Sequence, residues 1–98
     1  MRHDYFELHR QSDNLIYQFD RKKLADGSHG YQRRDQDLWI TYNPVLGWVA
    51  FDNETQSVTG RPWDILPQDQ SADYPPAGIW VSRKDIKSYV YLLVYKDT

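Results

Sequence analysis

Few residues in this chain have the types and spacing that metal binding or nucleophilic catalysis requires. The histidines are His3, His9 and His29. On one extended strand His3 and His9 would lie about 20 Å apart, at ~3.3 Å per residue, so they cannot chelate one ion there. The absence of cysteine excludes a disulfide, a thiol nucleophile and a thiolate metal site. We therefore predict no metal site and no cofactor.

One acidic stretch resembles a calcium-binding loop. Asp69, Ser71 and Asp73 have the spacing of the first three ligand positions of such a loop. The position that requires glycine for the sharp turn is Tyr74, however, and the final glutamate position is Trp80. We do not expect calcium to bind here.

The carboxylates are numerous, but their pattern identifies no pair of a general acid and a general base. Glu7, His9 and Asp64 are the residues that we would test first in an enzyme. We predict no catalytic residue, and an enzyme is the third of three functional hypotheses.

The rest of the chain has the pattern of short β-strands. Apolar residues alternate with polar ones in runs rich in Tyr, Trp, Val and Ile, and the runs end at Gly, Pro, Asn or Asp. Six strands in three hairpins are predicted, at residues 5–9, 15–19, 38–42, 47–51, 79–83 and 88–95. Only residues 21–25 and 67–72 could form a helical turn. The predicted fold is mainly β, a single antiparallel sheet or small open barrel of about six strands, with little or no helix.

The size and composition indicate one small globular domain over residues 1–98. The hydrophobic fraction of 40% is too high for a disordered chain, and the 27% of charged residues are spread too evenly for a membrane protein. No stretch approaches the roughly 18 consecutive apolar residues of a membrane helix, and the start lacks the apolar core of a signal peptide. We expect a cytoplasmic protein without a membrane partner.

The register of each hairpin decides which side chains share a face of the sheet. Four-residue loops give the predicted pairs Leu8–Tyr17, Phe6–Phe19, Thr41–Trp48, Trp39–Ala50, Val81–Val90 and Trp80–Tyr91. One face then becomes aliphatic, and we predict that it packs on the core. Its members are Phe6, Leu8, Leu38, Ile40, Val49, Phe51, Ile79, Val81, Val90, Leu92 and Val94. The opposite face is aromatic and carries Trp39, Trp48, Trp80, Tyr89, Tyr91 and Tyr95.

The aromatic face is the predicted binding surface, since Tyr and Trp are enriched in interface hot spots. The long segment 52–78 could cover this face or leave part of it open; the segment is acidic and contains four prolines. We predict a non-catalytic β module that binds another protein through this face and the acidic loop. The predicted contact residues are Trp39, Trp48, Trp63, Trp80, Tyr89 and Tyr91. The alternative is a sugar or nucleobase stacked on the same aromatic platform.

A secondary basic patch comprises Arg21, Lys22, Lys23, Arg33 and Arg34. These side chains could contact phosphates, but the formal net charge of −2 lacks the basic excess that attracts nucleic acid. We therefore do not expect a nucleic acid partner.

The strand at residues 88–95 is predicted to lie at an uncovered edge of the sheet, where it could pair with a second copy. Lys87 and Lys96 flank it and would discourage this pairing. We expect a monomer or a weak homodimer.

Overall fold

The structure, a computed structural model, describes residues 4–84 and 86–96. It contains eight strands in chain order: β1 (Tyr5–Arg10), β2 (Ile16–Lys23), β3 (His29–Arg33), β4 (Leu38–Asn43), β5 (Gly47–Asp52), β6 (Ser57–Pro62), β7 (Gly78–Lys84) and β8 (Lys87–Tyr95). A short 3-10 helix, Pro67–Asp69, lies between β6 and β7. The predicted mainly β fold with little helix is confirmed.

Each strand pairs antiparallel with the next one, and β8 pairs with β1, so the sheet closes into a barrel. The predicted single antiparallel sheet and small barrel are confirmed, but the barrel is closed rather than open and has eight strands rather than about six. Closure also changes the expectation for residues 88–95, because β8 is paired on both sides, by β7 and by β1. That segment therefore offers no free edge to a second copy.

The two additional strands, β3 and β6, lie in segments predicted to be connections. Pro62 is compatible with β6 because it is the last residue of the strand, where a missing N–H group is tolerated. Gly60, in the middle of β6, allows close approach to β7, since a Cβ atom there would lie 2.9 Å from the Val81 carbonyl oxygen. Residues 21–23, which could have begun a helical turn, instead continue β2.

The predicted registers of the first and third hairpins are confirmed, and that of the second is wrong by one residue. Its loop has three residues, because Asn43 pairs with Gly47. The Asn43 Oδ1 atom accepts hydrogen bonds from the N–H groups of Val45 (2.8 Å) and Leu46 (3.0 Å). Gly47 then takes a positive φ of 79°, a conformation that favours glycine. Trp48 consequently shares a face with Ile40 and becomes a core residue.

The barrel interior is largely aromatic, which corrects the predicted faces of β7 and β8. Since directly opposite residues share a face, the pairs Leu8–Leu93 and Phe6–Tyr95 place the odd-numbered residues of β8 inside. Ile79, Val81, Val90, Leu92 and Val94, predicted to be core residues, therefore face outward. The buried core cluster consists of Phe6, Leu8, Phe19, Tyr31, Ile40, Trp48, Trp80 and Leu93.

Residues 63–77, here called the connector, cover one end of the barrel. The Trp48 Nε1 atom donates a hydrogen bond to the Ser71 carbonyl oxygen at 2.6 Å, and the Trp80 Nε1 atom donates one to the Pro76 carbonyl oxygen at 2.9 Å. The Tyr95 hydroxyl donates a hydrogen bond to the carbonyl oxygen of Pro75. Of the two predicted roles of the long acidic segment, the structure therefore shows coverage of the aromatic residues at this end.

Candidate binding surfaces

The residues predicted to contact a partner do not form one exposed surface. Trp48 and Trp80 are 1% and 2% exposed, because the indoles fill the barrel and their Nε1 groups are bound to the connector. Trp63, in the connector, is 71% exposed. Tyr89 and Tyr91 are half-buried and share the inner face of β8.

Trp39 is separated from the other predicted contact residues by its register. It pairs with Phe51, which places it on the outer side of β4, and it is half-buried there. Its Nε1 atom donates a hydrogen bond to Asp37 Oδ1 at 2.7 Å. The predicted aromatic face is thus divided between the interior, the outer side and the connector.

One group of apolar residues outside the barrel, which we call the outer apolar face, consists of Trp63, Ile79, Val81, Val90 and Leu92. Ile79 lies opposite Leu92, and Val81 lies opposite Val90, on the solvent side of β7 and β8. Trp63 extends the first of these rows, because its N–H group donates a hydrogen bond to the Ile79 carbonyl oxygen at 2.9 Å. All but Val81 are exposed.

A groove of about 400 Å³ lies beside this face, between the connector and the outer side of β6 and β7. We call it the outer groove. Its apolar lining residues include Val58, Pro62, Trp63, Ile65, Leu66 and Val81. Arg61 and Arg83 also line it, and none of its described lining residues is acidic. The groove therefore combines apolar walls with positive charge.

The end of the barrel opposite the connector carries Arg10, Arg33, Tyr17 and Tyr89, which we call the arginine–tyrosine cluster. The Arg33 guanidinium carbon lies 3.9 Å from the centre of the Tyr17 ring. The Arg10 guanidinium carbon lies 5.0 Å from the Tyr89 ring centre and 6.0 Å from that of Tyr17. Stacking on aromatic rings holds both cations in fixed positions.

Each arginine of the cluster is also paired with a carboxylate in the neighbouring loop. Arg10 donates hydrogen bonds to both carboxylate oxygens of Asp13, and Arg33 does the same to Asp35. These hydrogen bonds are the main reason that the pKa of each aspartate is lowered. Both carboxylates are therefore charged near neutral pH, and both are more exposed than the arginines they contact.

A partly open cavity of about 70 Å³ lies next to this cluster, and Trp39 and Val81 from the outer side of the sheet also contribute to its lining. Its lining includes the apolar side chains of Leu8, Phe19, Leu38, Ala50 and Trp80. Arg33, Tyr17, Ser82 and Tyr91 also line it. The cavity is thus mainly apolar with a cation in its wall.

The five residues of the predicted basic patch do not share a surface. Arg33 lies opposite Phe19 and Arg21 lies opposite Tyr31, so both are on the inner face of their strands. The Arg21 guanidinium carbon lies 5.0 Å from the centre of the Tyr74 ring.

The other three residues of the patch, Lys22, Lys23 and Arg34, are exposed. Arg34 donates hydrogen bonds to both carboxylate oxygens of Asp20, at 2.7 and 3.0 Å. Arg21 and Lys22 lie on opposite sides of the sheet, because side chains alternate along β2.

Two of the candidate catalytic residues, Glu7 and His9, are brought together on the outer side of β1. The His9 Nε2 atom lies 2.8 Å from one carboxylate oxygen of Glu7, and the Tyr5 hydroxyl donates a hydrogen bond to the other at 2.8 Å. Burial alone would raise the pKa of Glu7, but the hydrogen bonds from His9 and Tyr5 outweigh it and lower the pKa. Asp64 lies exposed in the connector and is not part of this group.

Among residues 4–84 and 86–96, no cluster of three or more His, Asp or Glu side chains could hold a metal ion. Within the calcium-like stretch, the Ser71 hydroxyl accepts a hydrogen bond from the Asp73 N–H group at 3.1 Å. None of the helical segments that the structure describes is long and apolar enough to cross a membrane.

The sequence analysis did not identify the outer apolar face, and it named only two of the four residues of the arginine–tyrosine cluster, Arg33 and Tyr89. Arg10 and Tyr17 were not predicted as site residues. Arg10 nevertheless follows Phe6 and Leu8 at intervals of two residues along β1. That spacing is the signal that could have placed Arg10 on the inner face. Comparison with protein-family models, with curated proteins and with solved structures gives no match for this chain.

Proposed function

We propose that this chain is a non-catalytic module that binds another protein through the outer apolar face and the outer groove. The observation that carries the proposal is Trp63, a large aromatic residue that is 71% exposed and continues a row of apolar strand residues. The partner is again a protein, as expected from the sequence, but the contact surface is now the outer apolar face instead of the predicted aromatic face.

The barrel leaves much of the outer apolar face in water. The interior is already filled by the aromatic cluster, and Ile79, Val90 and Leu92 keep more than a third of their surface in water. Contiguous apolar patches on soluble domains usually mark interaction sites. A central tryptophan is the type of residue that most often dominates binding energy at such sites.

The charge of the outer groove indicates the chemistry of the partner. Arg61 places a guanidinium in the lining of the groove, so a bound segment gains by carrying carboxylates. The apolar walls require apolar side chains next to them. We therefore infer that the partner contributes an extended segment in which apolar and acidic residues alternate.

A peptide-display selection on the purified protein tests this function. We expect selected peptides to be enriched in apolar and acidic residues and to lose at least tenfold in affinity, about 1.4 kcal/mol, for Trp63→Ser and Arg61→Glu variants. Val45→Ser is the matched control, because Val45 is an exposed apolar residue in the β4–β5 loop, away from the outer apolar face.

Selected peptides that bind the Trp63→Ser variant as tightly as the original protein would exclude this surface. Sedimentation of the free protein provides a second test. A dimer that is abolished by Trp63→Ser would identify the outer apolar face as a self-association surface and would overturn the proposal of a different partner.

A further inference from the structure

We propose that a short-chain monocarboxylate binds at the end of the barrel that carries the arginine–tyrosine cluster. Its apolar tail occupies the 70 Å³ cavity, and its carboxylate contacts Arg33. This site is separate from the outer apolar face and does not depend on the proposed protein partner.

The cavity has the character of a site for a small apolar group. Its lining includes the side chains of Leu8, Phe19, Leu38 and Ala50, which offer no hydrogen bond to a water molecule. Its volume is close to that of two waters at about 30 Å³ each, and about half of the roughly 150 Å³ of an engineered cavity that binds benzene. A tail of two or three carbons fits this space, whereas a benzene, sugar or nucleobase ring exceeds it.

The cation in the wall of the cavity indicates the charge of the ligand. The Arg33 side chain is only 13% exposed and is fixed by its stacking on Tyr17. A guanidinium offers parallel N–H groups that match the two oxygens of a carboxylate. Arg10 stacks against Tyr89 on the other side of the cluster and is paired with Asp13, so Arg33 is the cation that meets the ligand.

Asp35 occupies the position on Arg33 that a ligand carboxylate would take. Its two oxygens already accept hydrogen bonds from Nε and Nη2 of Arg33, which shows that the guanidinium is oriented for bidentate binding. Asp35 lies only two residues from Arg33 in the β3–β4 loop, and its side chain is 63% exposed. Because the Asp35 carboxylate faces solvent, it can return to water when a ligand carboxylate takes its place on Arg33.

Titration of the isotopically labelled protein with propionate, followed by amide NMR, tests the proposal. We expect saturable shifts at Ala50, Ser82 and Tyr91, whose residues line the cavity, and no comparable shifts with propionamide, which has the same size but no charge. Benzoate is the size control and is expected not to bind, because its ring exceeds the cavity.

Three variants assign the site. Arg33→Gln is expected to weaken propionate binding at least tenfold, whereas Asp35→Asn is expected to strengthen it two- to fivefold because the internal competitor is removed. Arg34→Gln is the matched control. It removes a neighbouring arginine that also binds an aspartate with two hydrogen bonds but does not line the cavity, and it should leave the affinity unchanged.

The proposal is overturned if propionate gives no saturable shift, if propionamide or the Arg33→Gln protein responds equally, or if Asp35→Asn weakens binding. Binding of benzoate with equal affinity would overturn the assignment to a short chain. If Arg33→Gln does not fold, as shown by lost dispersion of the amide spectrum, Asp35→Asn and the propionamide comparison still decide the matter.

Discussion

Leu8 lies directly opposite Leu93 in the antiparallel pairing of β1 with β8. Because the two strands close the barrel, this pair determines which residues of β8 point inward. The β7–β8 register then transfers the same alternation to Trp80 and Ser82. One contact between the two ends of the chain thus decides that tyrosines rather than valines of β8 fill the interior.

Substitutions at two adjacent residues of β8 test this assignment. Leu93 is 1% exposed, and we expect Leu93→Ala to lower the free energy of unfolding by about 2–5 kcal/mol, the usual range for a buried leucine. Leu92 is 39% exposed on the outer side, and Leu92→Ala should cost less than about 1 kcal/mol. Urea unfolding of both variants measures the difference. If Leu92→Ala lowered the free energy of unfolding more than Leu93→Ala does, the result would support the aliphatic core predicted from the sequence instead.

A glycine substitution tests how the connector is held against β5. Gly47 has a φ of 79°, and a Cβ atom there would lie 2.6 Å from the Gln70 Oε1 atom, which accepts a hydrogen bond from the Trp48 N–H group. Gly47→Ala is therefore expected to destabilise the fold by more than the roughly 1–2 kcal/mol of left-handed strain alone. Thermal unfolding measured by circular dichroism reports the loss.

Gly27→Ala is the control for this substitution. Gly27 has a similar φ of 88°, but nothing lies within 4 Å of a Cβ atom at that position. It should show only the backbone strain. If Gly47→Ala and Gly27→Ala lowered the stability equally, the contact of Gln70 with β5 would not stabilise the fold.

Acrylamide quenching tests the environment of the indoles. Trp63 is exposed, whereas Trp48 and Trp80 are buried with their Nε1 groups hydrogen-bonded. We expect one strongly quenched component in the folded protein and its loss in the Trp63→Phe variant. Trp48→Phe should retain it. Strong quenching that survives Trp63→Phe would show that further indoles are accessible.

The ion pair of Asp20 with Arg34 predicts a pH dependence of stability. The hydrogen bonds from Arg34 lower the pKa of Asp20 below its model-peptide value of 3.8. The folded state therefore binds this proton less tightly than the unfolded state, so the pair stabilises the fold above pH 3.8 and loses this effect as the pH falls through the lowered pKa. Urea unfolding from pH 7 to pH 2 should show a smaller decline for Asp20→Asn than for the original protein.

The double variant Asp20→Asn, Arg34→Gln completes this test. If the pair is the cause, the second substitution adds little to the first, because the interaction has already been removed. Additive losses from the two substitutions would argue against a coupled pair.

The sequence predicted the strands whose residues alternate clearly, and it could not predict the features that depend on long-range pairing. β3 and β6 escaped notice because each contains a glycine and few apolar residues, and both are held by backbone hydrogen bonds to their neighbours. The predicted register of β4 with β5 was wrong by one residue, because the residues from Asn43 to Gly47 are compatible with a loop of either three or four residues. The faces of β7 and β8 depend on closure with β1, which no local pattern reveals.

The candidate surfaces were harder to predict than the fold for a related reason. Trp63 was predicted to contact a partner, but its neighbours on the outer apolar face were predicted to lie in the core. Arg10 and Tyr17 come together across the β1–β2 hairpin, whereas Arg33 reaches them only through the pairing of β3 with β2. Spatial proximity of this kind requires the strand order and cannot be obtained from spacing along the chain.

The connector is attached to the barrel mainly through its main-chain oxygens, at Ser71, Pro75 and Pro76, which accept hydrogen bonds from interior side chains. A carbonyl group is present whatever residue occupies a position. The closure of this end therefore does not depend on which exposed residues stand between Trp63 and Leu66. A different sequence at these positions would leave the hydrogen bonds between the connector and the barrel in place.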